Sequence, residues 1–171
     1  EKANGFSNNN VGVYLSAHAS DIFIKDNEFK GLGLGVYSKG DNIYIDNNFF
    51  YDMGLCAIRI ENASYNFIKN NKIDKIYGGM NTVLNAPYDQ KSFADGVYIY
   101  VSTNVVVFNN EISRCKRIGI VVEGDGKILN EKILIMHNII KKVTSSIGGE
   151  FNAGVWVEGG RVKYNSVIIA D

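Results

Sequence analysis

One short pattern recurs along the whole chain. A small residue followed by alternating apolar positions appears as GVYL from Gly12, GVYS from Gly35, AIRI from Ala57, GVYI from Gly96, GIVV from Gly119 and GVWV from Gly154. The steps between these starts are 23, 22, 39, 23 and 35 residues. Three steps of 22–23 residues define a unit, and the two long ones are that unit plus an insertion. A second marker keeps phase with the first, an Asn two residues ahead of an apolar residue: Asn27 with Phe29, Asn48 with Phe50, Asn71 with Ile73, Asn110 with Ile112, Asn138 with Ile140 and Asn165 with Val167. Self-similarity at such a period marks one small structural unit stacked many times.

Within each unit the apolar residues alternate, which is the period of a strand. The first strand points Val13, Val36, Ile58, Val97, Ile120 and Val155 inward. The second, in DIFIKDN, NIYIDNN, YNFIKNN, NVVVFNN and KILIMHN, stacks Ile22/Ile24, Ile43/Ile45, Asn66/Ile68, Val105/Val107 and Ile133/Ile135. Period-2 strands on a 22-residue repeat predict three strands per coil, each paired in parallel with its copy about 4.8 Å further on. The stacked Asn residues predict an amide ladder along one corner, where left-handed backbone is also tolerated. The expected fold is all-β: a right-handed parallel β-helix of about six coils with an Asn ladder. A leucine-rich repeat is the nearest alternative, but its Leu spacing and helix-forming segments are missing.

The repeated G-V-Y-x…N-I-x-I-x-N-N-x-F pattern and the Asn ladder resemble the pectin-lyase-like superfamily of right-handed parallel β-helix proteins, over nearly the whole chain. The resemblance implies the fold and a bias toward polysaccharide lyases, glycoside hydrolases, epimerases and phage tailspikes. It names no reaction, because one fold hosts many functions.

Composition narrows the field. A length of 171 residues fits a single domain, 1–171. No uncharged apolar run reaches the roughly 18–20 residues of a membrane span. Eighteen Lys and Arg balance eighteen Asp and Glu, and a neutral chain without a basic stripe is not expected to hold nucleic acid. Cys56 and Cys115 lack metal-type spacing and are expected as buried free thiols rather than a disulfide. The chain opens Glu1-Lys2-Ala3 and closes on VIIAD inside the third strand of its sixth coil, without a capping helix. It is read as a piece of a longer extracellular or cell-surface chain with other domains.

The irregularities point to a site. Insertions at 78–95 and 144–153 fall at the same corner, before the first strands of coils four and six. A third, at 124–132, bulges from the opposite corner of coil five. Insertions in a solenoid collect on one, often binding, face, and these flank the first-strand face across coils three to six as the walls of a groove. Two outward columns line it: Tyr14, Tyr37, Arg59, Tyr98, Val121, Trp156, and Ser16, Lys39, Glu61, Tyr100, Glu123, Glu158. Tyr and Trp present flat faces to sugar rings and Arg grips carboxylates, so Arg59, Tyr37, Tyr98, Tyr100 and Trp156 are the candidate substrate-binding residues. The plain alternative is cross-strand aromatic stacking that only stabilises the sheet, or a loop folded over Trp156.

The carboxylates supply candidate catalysts. Glu123 and Glu158 are equivalent one coil apart, about 4.8 Å between backbones, and Glu61 and Glu123 two coils apart, about 9.6 Å. Retaining glycosidases hold their carboxyls at about 5–5.5 Å and inverting ones at about 6.5–9.5 Å, so either pairing could serve, unless rotamers spread them as solvated surface residues. Asp95 in ADGVYIY is similar to the TDGI segment of polygalacturonases, whose Asp is catalytic. The paired aspartates expected one coil later are replaced by RCKR at Arg114–Arg117, and the GHG histidine has no counterpart before Gly154, which argues against that activity. Asp95 fits equally as a turn-shaping residue. In a lyase, Arg59 or Lys39 would be the base and Ca²⁺ a cofactor, although no acidic triplet is arranged for it. Otherwise no cofactor or metal is expected. His18 and His137 are isolated, and His137, beside the ladder, reads as structural. The leading expectation is a hydrolase or lyase acting on an extended polysaccharide. The alternatives are a non-catalytic glycan-binding adhesin, surface-layer or spacer β-helix, and a phage tailspike segment that would trimerise.

Overall fold

A computed structural model describes residues 10–77, 94–125, 130–143 and 153–158. The described residues form parallel strands in three sheets. The first sheet holds β1 (Val11–Leu15), β4 (Leu34–Ser38), β7 (Cys56–Glu61), β10 (Asp95–Tyr100), β13 (Ile118–Glu123) and β16 (Ala153–Glu158) in that order. The second holds β2 (Ser20–Lys25), β5 (Asp41–Asp46), β8 (Phe67–Lys69), β11 (Val106–Phe108) and β14 (Leu134–Met136). The third holds β3 (Glu28–Lys30), β6 (Phe49–Met53), β9 (Lys72–Ile76), β12 (Glu111–Cys115) and β15 (Ile139–Lys141). Each of the first five coils contributes one strand to each sheet, and β16 of the sixth joins the first sheet, which is the parallel β-helix the repeat predicts.

The register matches the repeat residue for residue. Val13, Val36, Ile58, Val97, Ile120 and Val155 stand side by side across the first sheet. Ile22 and Ile24 pair with Ile43 and Ile45 in the second, and Phe29, Phe50, Ile73, Ile112 and Ile140 align in the third. These columns merge into one continuous core between the sheets. The small residue that opens each repeat sits where the third sheet turns into the first. A Cβ on Gly35 would lie 2.5 Å from the Ala57 carbonyl oxygen and 2.5 Å from Phe50 Cδ1. Close approach therefore dictates the small side chain, since such distances are far inside van der Waals contact.

The Asn ladder is present. Asn48 Oδ1 accepts from the Asn27 backbone N–H (3.0 Å) and side-chain amide (3.1 Å). The same pair of bonds links Asn48 to Asn71, Asn71 to Asn110 and Asn110 to Asn138 at 2.9–3.1 Å. Each amide thereby satisfies backbone groups that turn away from the ladder at the corner. Asn165 lies outside the described residues. The left-handed backbone expected at this corner falls on the residue before each ladder Asn: Asp26, Asn47, Asn70, Asn109 and His137 (φ 52–59°). The turn is made there so that the following amide can face the stack. His137 is thus structural, its ring edge-on to Phe108 at 5.4 Å between centroids.

The strands take up edge residues of the insertions that the repeat spacing gives. Asp95 pairs with Cys56 as the first residue of β10, and Ala153 pairs with Ile118 as the first of β16. Neither belongs to a loop, because both complete the parallel ladder. Glu131 bridges Thr103 in register, so the third insertion also closes earlier than residue 132. Residues 78–93, 126–129 and 144–152, the bulk of the three, lie outside the described residues. Cys56 and Cys115 are free and buried as expected, and burial pushes both thiols far up, so they stay protonated.

Candidate functional site

The outward columns of the first sheet stack as alternation predicts. Tyr14, Tyr37, Arg59, Tyr98, Val121 and Trp156 are in register from β1 to β16. Beside them, Tyr100 pairs with Glu61 on one side and Glu123 on the other, and Glu123 pairs with Glu158. What the alternation misjudges is exposure. Tyr14 is 57% exposed, but Tyr98 is only 4% and Val121 only 1% exposed. Both join Cys56 and Ile118 in a second apolar cluster on the outside of the sheet, with Leu34, Tyr100, Ala153 and Trp156 packed around it. Tyr98 is therefore not an open platform. Side chains that alternate outward still bury where neighbouring columns on the same face are also apolar.

A polar network crosses this face. The Arg59 guanidinium lies between two rings, 5.3 Å from the Tyr37 centroid and 5.1 Å from that of Tyr98, which is cation–π geometry on both sides. It also donates from Nε (3.0 Å) and Nη2 (2.8 Å) to Glu61 Oε2. The same oxygen accepts the Tyr37 hydroxyl at 2.8 Å, and Lys39 Nζ stands 3.3 Å from Oε1. Partial burial works to raise the Glu61 pKa, but Tyr37, Arg59 and Lys39 outweigh it and hold the carboxyl below the usual range. Glu61 is thus held as an anion in contact with Arg59, Tyr37 and Lys39.

One coil on, the Tyr98 hydroxyl donates to Glu123 Oε2 at 2.6 Å. Burial first, and the Glu123 carboxylate next, push the Tyr98 phenol far above its ordinary pKa, so it remains a donor. Glu123 is half-buried, and Glu158, its neighbour in register, is exposed and accepts the Trp156 indole N–H at 3.3 Å. The Tyr100 ring stacks on Tyr98 with centroids 6.3 Å apart and stays partly open to solvent.

Asp95 lies at the edge of the same face. It is fully buried, and Arg117 donates to it from Nε (2.9 Å) and Nη2 (2.6 Å). Burial pushes its carboxyl up to about 6 against the pull of Arg117. This pairing is absent from a reading of RCKR as missing aspartates, because the partner is found across one coil, not along the chain. Among the described residues no group of three or more His, Cys, Asp or Glu could hold a metal ion.

The arrangement offers stacking surfaces, an anchored guanidinium and two adjacent carboxylates along one axis. Glu123 and Glu158 stand in register one coil apart, separate from the Tyr37, Arg59 and Lys39 contacts of Glu61. A family model for the right handed beta helix region matches residues 2–168. No curated protein and no solved structure matches the chain.

Proposed function

The chain belongs to the right-handed β-helix family, and on that scaffold we propose that the outer face of the first sheet binds an extended polysaccharide and cleaves it as a glycoside hydrolase. The observation that carries this reading is the stacking, in register over β4, β7, β10, β13 and β16, of Tyr37, Arg59, Tyr98 and Trp156 beside Glu61, Tyr100, Glu123 and Glu158. Tyr100 and Trp156 take sugar rings by their faces. Arg59, held by Glu61 and two tyrosines, presents a fixed positive charge to acidic or hydroxyl-rich sugars. Glu123 and Glu158, in register one coil apart, are the acid/base pair, with the Tyr98 hydroxyl donating to Glu123 Oε2. A location outside the cell or on its surface goes with such a substrate.

A second reading, glycan binding without cleavage, is favoured by one observation. Glu61 is engaged by Arg59, Lys39 and the Tyr37 hydroxyl, and Asp95 by a bidentate arginine. A screen on a polysaccharide panel separates the two, following new reducing ends and the ultraviolet absorbance of unsaturated uronates. Reducing ends without absorbance indicate hydrolysis, and both together indicate a lyase. Loss of a general acid or base costs about 10²–10⁴-fold, so Glu123→Gln and Glu158→Gln should each lower turnover by that order. Full activity in both variants sinks the assignment of the pair, and binding without any cleavage leaves the second reading.

A further inference from the structure

At the corner where the third sheet ends, the chain gathers positive charge that the first-sheet face does not use. Tyr51, Asp74 and Ser113 are paired across β6, β9 and β12, and Ser113 pairs with Lys141 in β15. The residues one step further on are Asp52, Lys75, Arg114 and Lys142, and all four adopt left-handed backbone, with φ of 53°, 57°, 55° and 54°. Three successive coils thus turn on a basic residue at a position that ordinarily favours Gly, Asn or Asp. Their side chains, with Tyr77 and Lys116, line an open cavity of about 400 Å³.

Four cations meet there. Arg114 donates from Nε to Asp74 Oδ1 at 2.7 Å and pairs through Nη2 with Oδ2, which fixes its plane and leaves further N–H donors for a ligand. Lys75 bonds the Tyr51 hydroxyl and lies 3.9 Å from Asp52. Lys116 lies 5.5 Å from the centre of the Tyr77 ring. Neither Lys116 nor Lys142 has an acidic partner within ion-pair reach among the described residues. Four cations against the carboxylates of Asp52 and Asp74 leave a local positive excess in a chain of zero net charge.

We propose that Lys75, Arg114, Lys116 and Lys142 form a second binding site, for the carboxylate or sulfate groups of an acidic oligosaccharide. Lys75 of β9, Arg114 of β12 and Lys142, just after β15, repeat at the coil spacing of about 4.8 Å, the order of one sugar ring along an extended chain, so successive acidic residues would meet successive coils. Arg supplies planar N–H pairs to such oxyanions, and Lys supplies point charges. A polynucleotide is disfavoured because the patch spans three coils only and no basic stripe continues it. The choice of a glycan among anions rests on the carbohydrate reading of the first sheet.

The test is titration calorimetry on the whole chain with a trigalacturonate, a sulfated tetrasaccharide, maltotetraose and an oligothymidylate. The wild type should bind the two acidic sugars with an affinity that falls as salt rises. The double variant Lys116→Glu/Lys142→Glu should lose about tenfold or more in that affinity, and Lys116→Gln/Lys142→Gln less, at unchanged melting temperature. Phe23→Ala, an exposed ring on the second sheet outside both sites, should leave it intact. Wild-type affinity in both double variants, or no acidic-sugar binding at all, overturns the site. Oligothymidylate bound as tightly and lost in the same variants reassigns it to nucleic acid. Loss in Tyr100→Ala with wild-type affinity in both double variants would place acidic glycan in the first-sheet groove and refute this site without touching that reading.

Discussion

At the scale of single residues, the buried pair of Asp95 and Arg117 is where charge has most effect on the fold. A buried ion pair need not stabilise, because desolvation can offset the attraction. Here burial wins, and Asp95 is pushed up to about 6. Its folded pKa therefore lies above that of the unfolded chain, so between about pH 4 and 6 the native state holds the extra proton. The Asp95 contribution is present below pH 4 and is lost as pH rises toward 6. By contrast, Glu61, with its lowered pKa, contributes stability above the ordinary carboxylate range and loses it on acidification. Urea denaturation of wild type and Asp95→Asn isolates the first effect: the stability difference between them should shift by about 2–3 kcal/mol from pH 4 to pH 6, on the order of 1.4 kcal/mol per pKa unit. A constant difference across that window would mean Arg117 keeps Asp95 ionised throughout.

At the scale of elements, corners hold the strands in step. Asn71 accepts from the Asn48 backbone N–H and side-chain amide, and donates to Asn110 Oδ1 and the Ile45 carbonyl. Asn71→Ala leaves at least two buried polar groups unpaired, each worth about 1–3 kcal/mol. Its midpoint in urea should therefore drop by the equivalent of about 3–5 kcal/mol, and a loss under 1 kcal/mol would show the ladder to be incidental. These elements were legible in the sequence because their signals are periodic: the Asn of each unit, the inward Ile and Val, and the small residue at each close approach. Some left-handed positions were not, since Tyr65, Lys75, Val101 and Arg114 take up positive φ where side-chain type gives no hint and only the stacked corner enforces it. The outward columns of the candidate site were readable by alternation. The burial of Tyr98 and the Asp95–Arg117 pairing were not, because both depend on neighbours brought in from other coils. The basic corner escaped for the same reason, as Lys75, Arg114 and Lys142 lie far apart in sequence and meet only when the coils stack.

At the scale of the whole molecule, a solenoid turns a repeat into a ruler. Each coil touches chiefly its neighbours, so any residue type placed at one position in successive repeats becomes a line of chemistry along the axis. The first sheet carries such a line of aromatic rings, a guanidinium and carboxylates, and the third-sheet corner carries one of cations. Both have the spacing and direction of an extended polymer. Gel electrophoresis through matrices containing each of a panel of soluble polysaccharides compares the wild type with Tyr100→Ala/Trp156→Ala. The wild type should be retarded by at least one of them. The double variant should lose about tenfold or more in affinity, as expected when two aromatic faces worth about 1.5–3 kcal/mol each are removed. Free migration of the wild type in every matrix, or equal retardation of the double variant, would contradict a glycan-binding face on the first sheet.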